Sequence, residues 1–173
     1  MRRLLSCALV ALVLASSAAL AGGGQNIANP AIDTAAFLRD TAAAMQYRES
    51  RRVTEAEFIR LSRLPGTVIL DARSKPKYDA LHVRGAVNLS FTEFTAENLA
   101  RMVPDANTLV LIYCNNNFAN APDPMPTKAI AAALNLSTYT SLYTYGYRNV
   151  YELGPFLDVN TTRIEFAGTP RWR

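Results

Sequence analysis

The sequence predicts an α/β domain: a mostly parallel open sheet with helices on both faces, plus an extra N-terminal helix. Three observations lead there. Two runs, Thr67-Val68-Ile69-Leu70 and Leu109-Val110-Leu111-Ile112-Tyr113, are apolar without alternation, the pattern of strands covered on both faces. Segments of helical periodicity separate the strand candidates, and such alternation implies a parallel sheet. At 173 residues with no internal repeat, one domain is expected.

The elements follow in order. Met1-Arg2-Arg3, the apolar run Leu4 to Ala15 and the small-x-small sequence Ala19-Leu20-Ala21 read as a secretory signal, residues 1–21, cleaved after Ala21. The run is shorter than the roughly 20 apolar residues a membrane span needs. Residues 22–33, with Gly22-Gly23-Gly24, read as a flexible leader. Residues 34–52 form a helical extension, with Phe37, Leu38, Ala42 and Met45 on one side of a helix over 34–47. Val53 opens a short strand, and Thr54 with Glu57 is a capping box for a helix through Leu61. Pro65-Gly66 turns the chain into the first long strand.

Ala86 to Leu89 is a second strand candidate, Thr95 caps a helix to Met102, and Pro104-Asp105 ends it. Leu109–Tyr113 is the strongest strand, with Cys114 at its C-terminal end. Residues 115–126 read as an Asn/Pro-rich loop, Thr127–Leu134 as an Ala-rich helix, and Ser137 as the cap of another helix stopped by Gly146. Asn149–Leu153 is the last main strand. Residues 155–173 form a C-terminal tail in which Thr161–Phe166 could add an edge strand and Trp172 lies near the end.

Composition narrows the function. Half the residues are apolar and 18% charged, which excludes a disordered chain, a coiled coil and a disulfide-rich miniprotein. The net charge of +4 falls to +2 once Arg2 and Arg3 leave with the signal, and so small a balance gives no support for nucleic-acid binding. Cys7 also leaves, so Cys114 is the lone cysteine of the mature chain. It stands where open α/β sheets bind ligands, outside the carboxyl end of a strand. Loop N–H groups and a following helix N-terminus there can stabilise a thiolate. A buried, inert thiol is the competing reading of the same position.

Residues 53–154 resemble the rhodanese-like domain. Asp71-Ala72-Arg73 matches its D-x-R. Tyr78, His82-Val83, Gly85-Ala86 and Asn88 match its [YF]-x-x-x-H-[IV]-x-G-A-x-N segment. Leu111-Ile112-Tyr113-Cys114 matches the strand that delivers the active cysteine, and Gly146-Tyr147, Val150 and Leu153-Gly154 match its closing motif. The resemblance implies a sulfurtransferase or sulfane-sulfur carrier, and the signal sequence implies that it is exported, periplasmic or secreted. Its Cys114 thiolate would take sulfur from a small anion such as thiosulfate, hold it as a persulfide and pass it to a thiol acceptor. It implies no cofactor, and one His with one Cys builds no metal site. Removal of the signal is expected to leave no stable membrane insertion.

The substrate-binding candidates are Asn115, Asn116, Asn117 and Phe118, through loop N–H groups and neutral amides, and Lys128 in place of a nearby loop arginine. Asp71, Arg73, His82 and Gly85 are expected to be structural. Lys77 replaces the acidic residue that precedes Tyr78 in the family, so Arg73 must find another carboxylate. The alternative is a non-catalytic binding module in which the 115–126 loop and the Tyr-rich segment 139–151 meet a protein partner or ligand. A cysteine phosphatase or arsenate reductase needs an arginine close after the cysteine, and here the first is Arg148.

Overall fold

The computed structural model describes residue 27 and residues 29–169. The signal sequence, half of the leader and Trp172 lie outside the described residues. Contacts divide the chain into residues 1–33 and 34–173; all that follows concerns the second unit. Among the described residues, no helix is long and apolar enough to cross a membrane.

Five short strands form one parallel sheet: β1 (Arg52–Val53), β2 (Val68–Asp71), β4 (Val87–Asn88), β5 (Val110–Tyr113) and β7 (Val150–Leu153), in the order β1-β7-β5-β2-β4. β2 and β5 pair over four residues, from Val68 opposite Val110 to Asp71 opposite Tyr113. β5, buried at every position, is central. Its alternate residues enter two cores. Val110 and Ile112 pack with Ala44 of α1 (Thr34–Arg48), Leu99 of α4 (Ala96–Met102) and Leu142 of α5 (Leu134–Thr144). Leu111 and Tyr113 pack on the other face with Phe58 and Leu61 of α2 (Glu55–Ser62).

Local chemistry sets several ends. The Thr54 and Thr95 hydroxyls accept from the N–H groups of Glu57 and Asn98, capping α2 and α4. α5 stops at Gly146, whose φ of +94° suits the left-handed residue after a helix. Gly146 N–H bonds Tyr143 C=O and Tyr147 N–H bonds Leu142 C=O, the pair of bonds that closes a Schellman end.

Two helical expectations need correction. Thr127–Leu134 is not an α-helix; only a 3₁₀ turn forms, at Ile130–Ala132. The Asn116 side chain takes both the N–H and the C=O of Lys128, groups a helix would have used. Ser137 caps nothing, because α5 begins three residues earlier with no side-chain cap at Ala133. Nor does α1 bury Phe37 and Leu38, which are each 61% exposed. Asp40 accepts from the hydroxyl of Thr144, the last residue of α5, so the start of α1 overhangs the end of its neighbour.

The chain after β7 adds two small pairings. β8 (Leu157–Asp158) runs parallel to β6 (Phe118–Ala119), and β9 (Phe166–Ala167) pairs antiparallel with β3 (His82–Val83). Ile164 between them is buried in the α2-side core. α3 (Lys75–Ala80) completes the set, with Pro76 in its first turn.

Candidate functional site

Cys114 leaves β5 at its C-terminal end and is 1% exposed. A 3₁₀ turn follows at once, Asn115–Asn117, and points N–H groups back at the residue that starts it. The sulfur receives the N–H groups of Asn116 and Asn117 from this turn. From across the site it faces the N–H groups of Leu134 and Asn135, the first residues of α5. A helix start leaves such donors without intrahelical partners. Here the sulfur serves them, which is why no capping residue stands at Ala133.

Asn117 holds this arrangement together. Its Oδ1 accepts from the Cys114 N–H at 2.9 Å and from the Asn135 amide at 3.1 Å. Its Nδ2 donates to the carbonyls of Leu153 at 2.7 Å and Pro155 at 3.3 Å. Asn135 Oδ1 is buried without a hydrogen-bond partner.

Residues 120–133, here called the lid, are fastened at several points to the turn that follows Cys114 and to the core. Asn115 donates to Pro126 C=O, Asn116 brackets Lys128 at 2.8 and 3.0 Å, and Met125 is buried in the α2-side core. The asparagine amides read from sequence as anion donors are therefore spent on main chain. Phe118 stands away from the sulfur: its N–H bonds Asn115 C=O, and its ring packs between Tyr113 and Phe166 in the core on the far face of β5.

Burial is the largest influence on the thiol and raises it above its ordinary range, and the charge of Glu152 adds to this. The N–H groups of Asn135, Asn116 and Leu134 pull the other way without prevailing. Desolvation outweighs these donors here and favours the neutral thiol. The folded state holds the thiol proton more tightly than the unfolded chain. The stability it contributes is present below the ordinary thiol range and is lost as pH rises through the folded midpoint.

Lys128 lies at the rim of a cleft of about 370 Å³ beside the lid, with Arg73, Ser74, Lys77, Ser90 and Asn115. Lys77 on the same cleft donates to the carbonyl of Asp123 at 3.2 Å and lies 3.9 Å from its carboxylate. Arg73 itself is buried, and its carboxylate is Asp71: Nε bonds Oδ1 at 3.0 Å and the guanidinium also reaches Oδ2 at 2.5 Å. It further donates to the carbonyls of Leu81 and of Pro124 in the lid. Tyr113 donates its hydroxyl to Asp71; burial, with the charge of Asp71, raises that phenol well above its ordinary value.

His82 stands apart from this chemistry. Its ring stacks on Tyr78 with centroids 3.9 Å apart, and Nδ1 meets the Tyr78 carbonyl. Gly85, at φ +82°, makes the turn from β3 to β4. The Tyr-rich segment is mainly packing. Tyr139 and Tyr147 are buried, and Tyr143 packs on Tyr47 of α1. Among the described residues, no group of three His, Cys, Asp or Glu side chains could hold a metal ion.

The sequence model of the rhodanese-like domain matches residues 54–153, which is more than half the chain and contains β2, β5, Cys114 and β7. The chain belongs to the rhodanese-like domain family. Within this rhodanese-like fold, 46 residues are 41% identical to the thiosulfate sulfurtransferase PspE of Escherichia coli strain K12, covering 27% of this chain. The chain thus spans 43% of the length of that relative. Among solved structures it is similar to an E. coli rhodanese with anions, at 24% identity over 60% of this chain and 99% of that one, with TM-score 0.41. It is also similar to the BH2092 protein of Bacillus halodurans, at 16% identity over 76% and 87%, with TM-score 0.48. The match begins at residue 54, so α1 lies outside it.

The latch makes access to the thiol measurable. Asn116→Ala removes two hydrogen bonds between turn and lid, worth about 1 kcal/mol or a little more at an exposed site. Alkylation of Cys114 through the open lid is expected to speed up roughly tenfold. In both proteins the rate should rise with pH through and beyond the ordinary thiol range, because the thiolate is the nucleophile. An unchanged rate would mean that another contact holds the lid.

Proposed function

We propose that this rhodanese-like chain is an exported sulfurtransferase or sulfane-sulfur carrier that works through a persulfide on Cys114. The observation that carries the reading is the ring of backbone N–H groups, from Asn116, Asn117, Leu134 and Asn135, around one sulfur at the carboxyl end of the central strand. Such a ring suits a sulfur anion before and after loading. Export rests on the basic, apolar and small-x-small run of residues 1–21.

The donor class is a small anion carrying sulfane sulfur, the class named for the E. coli relative. With the lid open, Lys128 draws it toward the thiol. The Cys114 thiolate attacks the outer sulfur of thiosulfate. A new S–S bond forms, and sulfite leaves with the electron pair of the bond that breaks. An acceptor thiolate then attacks the outer sulfur of the persulfide, takes it, and returns the Cys114 thiolate. No external oxidant or reductant is required.

The test is intact mass after incubation with thiosulfate. Wild type is expected to gain one sulfur, about 32 Da, reversibly with reductant, and Cys114→Ala to gain nothing. A second reading is favoured by the burial of the thiol: a binding module whose lid and adjoining cleft take a ligand without sulfur transfer. It is preferred if wild type gains no sulfur while Cys114 still reacts with an alkylating reagent.

A further inference from the structure

Glu152 lies opposite Ile112 in the pairing of β7 with β5, and Cys114 is two residues beyond Ile112. Alternation sends all three side chains to one face of the sheet, with the Cα atoms of Glu152 and Cys114 roughly 8 Å apart by strand geometry. That face is the one covered by α1 and α5. Glu152 is 4% exposed, and a carboxylate so placed needs a partner. The partner is Arg48, at the last position of α1. Its Nε bonds one carboxylate oxygen, and its terminal nitrogen bonds the other at 2.7 Å.

Other charged groups around the thiol are accounted for. Tyr139 of α5 shares this core, its hydroxyl on Val150 C=O. Arg51 sits between the rings of Tyr47 and Tyr151, and Glu49, largely exposed, lies 4.0 Å from Arg48. Lys128 is on the lid, and Asp71, Arg73 and Tyr113 form their own cluster on the opposite face. Glu152 is thus the anion beside the sulfur, and one guanidinium neutralises it.

We propose that Arg48, carried by a helix outside the matched family span, is a positioning residue for Cys114: by pairing with Glu152 it keeps a bare carboxylate from facing the sulfur anion. The N-terminal extension is then part of the reactive apparatus. This rests on Cys114 acting as a thiolate, the reading proposed above, although the measurement does not require sulfur transfer.

The experiment is the pH profile of Cys114 alkylation in the full chain, for wild type, Glu152→Gln, Arg48→Met and the double variant. Glu152→Gln leaves Arg48 unopposed, and its midpoint should fall by roughly one pH unit. Arg48→Met should raise it, and the double variant should return close to wild type. A merely structural effect on the lid would change the rate equally at every pH and leave the midpoint still. Arg48→Met leaves a buried charge unpaired and can fail to fold, in which case Glu152→Gln and the double variant decide. A folded Glu152→Gln with an unmoved or raised midpoint overturns the proposal. Shifted midpoints without any sulfur gain would retain it and reject sulfur transfer; sulfur gain with unmoved midpoints would do the reverse.

Discussion

Arg73→Met is expected to destabilise the protein by about 3–5 kcal/mol, the usual cost of stripping one partner from a buried ion pair. For a chain of this size that corresponds to a fall in melting temperature of roughly 10–15 °C. Asp71 is 0% exposed, so its carboxylate would keep only the Tyr113 hydroxyl and the main-chain N–H of residue 73. The carbonyls of Leu81 and Pro124 would each lose a donor. Methionine fills much of the volume, so packing is a minor part of the loss. The double variant Asp71→Asn/Arg73→Met should recover a large share, because it removes the uncompensated charge. Denaturant unfolding of the four proteins measures this. A loss under about 1 kcal/mol for the single variant would show that water or a protonated Asp71 relieves the site.

Asn117→Ala is expected to affect both stability and reactivity. One amide meets four groups in three segments: the Cys114 N–H, the Asn135 side chain, and the Leu153 and Pro155 carbonyls. Truncation strands a buried N–H and at least one buried carbonyl, at about 1–3 kcal/mol each, so a total near 3 kcal/mol is expected. It also frees the start of α5 from the turn, so the Leu134 and Asn135 N–H groups lose their aim at the sulfur. Sulfur loading should fall by at least about tenfold at conditions where the variant is still folded. Asn117→Asp keeps the acceptor but turns an oxygen toward two carbonyls, and should be worse than alanine. Asn117→Ala with wild-type unfolding and loading would remove the residue from the site. Unfolding curves and intact mass on the same preparations separate the two effects.

Much of the fold was readable because its signals are local. The apolar runs at 68–70 and 110–113, the Thr54 and Thr95 caps, and Gly146 all act within one turn or one strand. The motif order Asp71, His82, Gly85, Cys114, Gly146 pointed to the family that the match over residues 54–153 establishes. The errors fall where the partner is remote in sequence. The start of α5 was misplaced because its N–H groups face Cys114, about twenty residues back. The local sequence around Lys128 favours a helix, and nothing near it announces that Asn116 will take its backbone. Phe118 looked like a loop residue because its ring partners, Tyr113 and Phe166, come from separate strands.

The sequence by itself determined a parallel α/β sheet with one cysteine at the end of its central strand, since periodicity, caps and turn residues act through short-range sterics and hydrogen bonds. Only the tertiary structure decided the state of that cysteine. Its burial, the donors from two distant segments and the Arg48–Glu152 pair beside it are all long-range. A thiol responds to the sum of desolvation, donors and charges within a few ångströms, and that sum exists only once the chain has brought residues 48, 114, 117, 135 and 152 together.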